Sequence, residues 1–79
     1  MRTVYILQSQ SDPERYYVGQ TTALDIRILE HQTSLSGYTS EHGPWQLTVA
    51  IQFRDATRAF LFERYLKTGS GRAFAKRHL

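Results

Sequence analysis

The sequence predicts an α+β domain, a small three-stranded antiparallel sheet flanked by helices. Three observations carry this reading. Two short runs of strand-forming residues, Val4-Tyr5-Ile6-Leu7 and Tyr16-Tyr17-Val18, flank a polar stretch. Leu47, Val49, Ile51 and Phe53 alternate with Thr48, Ala50 and Gln52, the period of two expected of a half-buried strand. The segments after the second and third runs each open with a helix-start signal.

The elements follow in order. Ser9-Gln10-Ser11-Asp12-Pro13-Glu14 is rich in turn formers and joins the first two strands into a hairpin. Thr22-Ala23-Leu24-Asp25 resembles a capping box, with Thr22 as N-cap, and predicts a helix running to about Thr33. Ile26 and Leu29 fall away from its Leu24–Ile28 face, so the helix is expected to be covered on two sides. Ser36 to Pro44 reads as loop with room for a short helical turn. Asp55 caps a second helix that should stop near Gly69, and residues 71–78 extend as one or two basic helical turns.

With 79 residues the chain reads as one domain, residues 1–79. It has no cysteine, which excludes disulfides and thiolate zinc sites. No apolar run approaches the roughly 20 residues that span a bilayer, and the N-terminus lacks the features of a signal peptide. The expectation is a soluble, cytoplasmic protein. Net charge is +3 but unevenly spread. Residues 1–53 hold three arginines against five acids, a balance of −2, whereas residues 54–79 hold seven Lys or Arg against two acids, a balance of +5. A basic C-terminal third points to a polyanionic partner, with a plain solvated surface as the alternative. Arg58, Arg64, Lys67, Arg72, Lys76 and Arg77 are the candidates for nucleic-acid phosphate contacts. Tyr38 and Trp45 are candidates for stacking on bases, although packing in the core is the better expectation for Trp45.

Three positions do not fit a plain core. At about 100° per residue, Ala56, Ala59, Phe60 and Leu66 form the apolar stripe of the second helix, and Glu63 falls in its middle. A carboxylate there needs a partner or a metal. Arg27 and His31, four residues apart, share one face of the first helix.

Tyr5 within Thr3-Val4-Tyr5, followed by Tyr17-Val18-Gly19, resembles the two tripeptides that name the GIY-YIG nucleases. Arg27 and His31 fall where that family carries its first-helix Arg and His, and Glu63 where it carries an acidic metal ligand. Tyr38-Thr39, Pro44-Trp45 and Gly71-Arg72-Ala73-Phe74 resemble its small stand-alone bacterial members. The resemblance covers nearly the whole chain. Thr3 stands in place of the name-giving Gly, and the sequence has no Asn, which longer members carry near the end of the domain.

The resemblance implies the GIY-YIG fold and a metal-dependent endonuclease that hydrolyses phosphodiester bonds in DNA, with strand or structure selectivity and a repair or mobile-element role. Its catalytic residues would be Tyr5, Tyr17, Arg27, His31 and Glu63, converging on one concave surface. Glu63 would hold one Mg²⁺ or Mn²⁺. Tyr17 is the first choice for general base, with Tyr5 and His31 as alternatives, and Arg27 would clamp the transition-state phosphate. A free phenol titrates near 10, so a cation is needed beside the base, and Arg27 is the candidate. Gly19 would let backbone pass close to the substrate, with a tight turn as the alternative. The alternative function is a nucleic-acid-binding GIY-YIG module with little or no catalysis, favoured by the short length and the missing Asn. A third reading is a purely structural partner subunit with the tyrosines as core. A partner subunit or homodimer is left open.

Overall fold

Thr3 to Leu7 are buried without a break, because β1 (Arg2–Ser9) is the middle strand of three and is covered on both faces. A strand buried on both sides reads as a continuous apolar run rather than an alternating one. The computed structural model describes residues 1–32 and 42–79, the side chains of His31 and Gln32 excepted. β1 pairs antiparallel with β2 (Tyr16–Thr21) on one side and β3 (Trp45–Phe53) on the other, giving the order β2-β1-β3. The expected α+β architecture is present, with three helices among the described residues: α1 (Leu24–Gln32), α2 (Ala56–Leu66) and α3 (Gly69–His78).

Strand parity divides the core into two clusters. Val4 and Ile6 pack with Val18, Val49 and Phe53 against Ala59, Phe62 and Leu66 of α2 and Phe74 and Ala75 of α3. Tyr5, Leu7 and Trp45 form the second cluster with Tyr17 and Leu24 of α1. Trp45 is 2% exposed, so it packs in the core as expected and offers no stacking surface. The alternation predicted for Leu47 to Phe53 breaks at one point. A register shift pairs Ile6 with Val49 but Leu7 with Leu47. The extra residue, Thr48, is a bulge, and it turns Leu47 away from the face of Val49, Ile51 and Phe53.

α1 starts one residue later than predicted, and the capping box does not form. The hydroxyl of Thr21, the buried last residue of β2, accepts from the Ala23 backbone N–H at 3.0 Å, and Asp25 accepts from Ile26. Thr21 thereby supplies the turn chemistry expected of Thr22. Ile26 and Leu29 are 58% and 60% exposed, so the second covered face of α1 is not observed. The loop predicted from Ser36, together with Tyr38, lies mostly or wholly outside the described residues.

Asp55 caps α2 as expected, accepting from the Thr57 N–H at 2.8 Å. Gly69 does not end that helix. α2 closes at Leu66 and Lys67, and Thr68 caps α3 by accepting from the Gly71 N–H at 3.0 Å. Gly69 is the first residue of α3, which runs longer than the one or two turns expected. Gly71 is the glycine that packing demands. A Cβ there would lie 1.7 Å from the Tyr65 carbonyl oxygen, because α3 turns back directly over the end of α2. Phe74 then meets Phe62 and Tyr65 edge-on and closes the cluster.

Candidate active site

The register of the β1–β2 pair sets Tyr5 opposite Gly19 and Leu7 opposite Tyr17. All four therefore share the α1 face. Tyr5 is fully buried, and its ring lies directly over the Gly19 backbone. A Cβ on Gly19 would stand 2.6 Å from the Tyr5 hydroxyl oxygen and 3.0 Å from Cε1 of Tyr17. Gly19 is thus a mid-strand seat for the tyrosine rings and not a turn. The two rings lie 6.3 Å apart, tilted by 31°.

α1 brings Arg27 to this pair. Its guanidinium hydrogen-bonds to the Tyr5 hydroxyl, which strengthens its hold on its own proton. It also reaches Glu30 at 3.3 Å, one turn along the same helix. Burial pushes the Tyr5 phenol above its ordinary value, and the hydrogen bond from Arg27 pulls it only part of the way back. Tyr5 is therefore neutral at physiological pH and keeps its proton. Tyr17 is the more accessible of the two hydroxyl-bearing rings. The site joins a buried phenol, a half-exposed phenol and a guanidinium, a set suited to holding a phosphate beside a proton acceptor.

Glu63 approaches from elsewhere. Its side chain is 13% exposed, with one carboxylate oxygen accepting from the Gln20 amide at 3.0 Å and the other paired with Lys67 one turn on. Gln20 pairs with Val4, so it faces α2, on the opposite side of β2 from Tyr5 and Tyr17. The five residues thus do not share one face. Tyr5, Tyr17 and Arg27 cluster, Glu63 meets the same edge strand from the other side, and the His31 side chain lies outside the described residues. Glu63 also sits at the rim of its stripe rather than the middle. The buried line of α2 is Ala59, Phe62 and Leu66, while Ala56 and Phe60 are exposed.

Among the described residues no three His, Cys, Asp or Glu side chains gather as a metal site. A divalent cation would rest on Glu63 alone, with water and substrate oxygens completing its shell, a common way to hold Mg²⁺. The donor set fits such an ion. The Lys67 ammonium already occupies a cation position on the carboxylate, and at 54% exposure that side chain can swing away.

The model of the GIY-YIG catalytic domain matches residues 1–77. The chain belongs to the GIY-YIG family. Membership implies nuclease-type function on DNA. No curated protein matches the sequence. Among the described residues no helix is long and apolar enough to cross a membrane.

Sequence reasoning missed two residues that hold candidate site side chains in this GIY-YIG domain, Glu30 on Arg27 and Gln20 on Glu63. Glu30 was visible as an i,i+3 partner of Arg27. Gln20 was not, because its contact with Glu63 depends on which face of β2 it takes. The basic residues are also unequal. Arg64 stacks over the Phe60 ring at 5.5 Å, Lys67 is paired with Glu63, and Arg58 and Arg77 are exposed on α2 and α3. Arg72 and Lys76 line a groove described below.

Proposed function

We propose that this GIY-YIG domain is a metal-dependent endonuclease that hydrolyses phosphodiester bonds in DNA. The observation that carries the reading is the cluster of Tyr5, Tyr17 and Arg27 seated on Gly19, in a chain of this family. Arg27 binds the non-bridging oxygens of the scissile phosphate through its planar fork and stabilises the charge that grows there. Tyr5 stays protonated and fixes Arg27 by accepting its hydrogen bond. Tyr17 takes the proton of the attacking water as that oxygen bonds to phosphorus. His31, on the last turn of α1, receives that proton or holds a phosphate oxygen. Glu63 would hold Mg²⁺ or Mn²⁺, which when bound would polarise the phosphate and stabilise the leaving oxyanion. The substrate is a particular strand or DNA structure, in a repair-type or mobile-element setting.

Incubation with plasmid, single-stranded and branched DNA in Mg²⁺, Mn²⁺ or EDTA tests this. Cleavage should require the metal and should fall by at least about a hundredfold in Tyr17→Phe. A folded protein that binds these DNAs but cuts none of them in either metal refutes the enzyme reading and leaves a binding module.

A further inference from the structure

Between the β1–β2 hairpin and α3 the surface is recessed into a groove of about 850 Å³. Pro13 to Val18 form one wall, Arg72, Ala75 and Lys76 the other, and Ile6 and Leu66 lie between them. Lys67, Arg72, Lys76 and Arg15 line it against a single acid, Glu14. Three ion pairs form among the described residues, Arg15–Asp12, Arg27–Glu30 and Lys67–Glu63, and none involves Arg72 or Lys76. Arg72 and Lys76 are one helical turn apart, with Cβ atoms about 5–6 Å apart, a spacing that suits successive phosphates of an extended strand. Tyr16, 52% exposed, stands on the hairpin wall.

We propose that this groove binds one unpaired DNA strand, with Lys67, Arg72 and Lys76 on its phosphates and Tyr16 under a base. The proposal deepens the nuclease reading and rests on it for the identity of the ligand as DNA. Size argues for a single strand. The recess is within the range of about 300–1,000 Å³ typical of small-ligand sites, in a domain of 30 × 26 × 17 Å. It takes a few nucleotides, whereas the major groove of a duplex is alone about 12 Å wide. Chemistry argues the same way. A cationic groove with an exposed aromatic ring is the usual combination for single strands, whose bases are free to stack. The path also leads to the candidate active site, because Lys67 belongs to the groove and pairs with Glu63.

Fluorescence anisotropy of labelled oligothymidine and of a duplex of equal length, in EDTA, tests this on the full chain. The wild type should bind the single strand more tightly than the duplex. The double substitution Arg72→Ala with Lys76→Ala should weaken single-strand binding at least about tenfold and reduce the log–log salt slope by roughly 1.4, or 0.7 for each lost phosphate contact. Tyr16→Leu should weaken binding by roughly tenfold with the slope unchanged. Tyr16→Phe, which keeps the ring, and Arg54→Ala, an exposed residue outside the groove, should bind as wild type, and thermal melts check that each variant is folded. Unchanged affinity and slope in the double variant overturns the groove, and tighter binding of the duplex overturns the unpaired strand. Because the binding measurements need no hydrolysis, the two readings fail separately. Normal binding by the double variant, with cleavage lost in Glu63→Gln, sinks the groove alone. Lost binding by the double variant, with no metal-dependent cleavage by wild type, sinks the nuclease alone.

Discussion

Replacing Gly19 by Ala tests the seat on which the candidate site is built. The new Cβ would stand 2.6 Å from Oη and 2.8 Å from Cζ of Tyr5, closer than carbon and oxygen tolerate. Tyr5 cannot yield easily, since it is fully buried and hydrogen-bonded to Arg27. Overpacking of this kind costs about 1–3 kcal/mol. Ala in a strand recovers about 0.5–1 kcal/mol of backbone entropy relative to Gly. A net loss of about 1–2 kcal/mol lowers the melting temperature of so small a domain by roughly 4–16 °C. Two other glycines calibrate the measurement. Gly69→Ala meets nothing within 4 Å and should melt at or slightly above wild type, whereas Gly71→Ala drives a Cβ onto the Tyr65 carbonyl and should prevent α3 from docking. Thermal and urea denaturation of the three variants rank them. If Gly19→Ala melts with wild type and Gly69→Ala, the Tyr5 ring does not lie over Gly19 and the site geometry is wrong.

Tyr5 carries a pH signature. Its phenol is raised in the fold, so its contribution to stability is complete below the unfolded value near 10 and disappears as pH rises through the higher folded value. Urea midpoints from about pH 9 to 12 should show that alkaline loss in wild type and a smaller one in Tyr5→Phe; identical profiles count against the buried phenol. Trp45→Ala should cost about 3–5 kcal/mol, because the ring is 2% exposed beside Tyr5 and Leu7. A smaller loss by urea denaturation would mean that this core does not close around it. Glu63→Gln should change stability by less than about 1 kcal/mol, since its charged partner Lys67 is half exposed and Gln can still meet Gln20. Calorimetric Mn²⁺ binding should vanish in that variant, and metal binding at wild-type strength would falsify the assignment of Glu63 as ligand.

The parts of the fold that sequence reveals are those where local pattern and tertiary environment agree. Val4 to Leu7 reads as a strand because the middle of a sheet is apolar on both faces, and Asp55 reads as a cap because its side chain meets a backbone N–H two residues away. Reading failed where a distant contact overrode the local signal. Gly69 looks like a helix stop, but the constraint is at Gly71, where the end of α2 leaves no room for a side chain. The Leu47–Phe53 alternation looks unbroken, but Thr48 bulges, and only pairing with β1 reveals it. For the site, the order of Tyr5, Tyr17, Arg27, His31 and Glu63 along the chain was legible through family likeness. Which of them meet was not, because that depends on β-strand parity and on where the buried line of α2 falls.

Parity has a mechanistic consequence. Gly19 and Gln20 are successive residues of β2, so they present to opposite faces, one under the tyrosines and the other under Glu63. Among the described residues β2 pairs with β1 alone, so it is the outer strand between the Arg27 side and the Glu63 side of the sheet. An uncovered edge is a hazard that small proteins usually blunt with a bulge, a charge or a covering loop. Here the strand is covered at two of its last three positions: Gly19 and Thr21 are buried, and Gly19 is held to its size by the ring of Tyr5. The groove proposed above begins at Tyr16 and Tyr17 and reaches Lys67, the partner of Glu63, so a strand bound there would end beside that carboxylate.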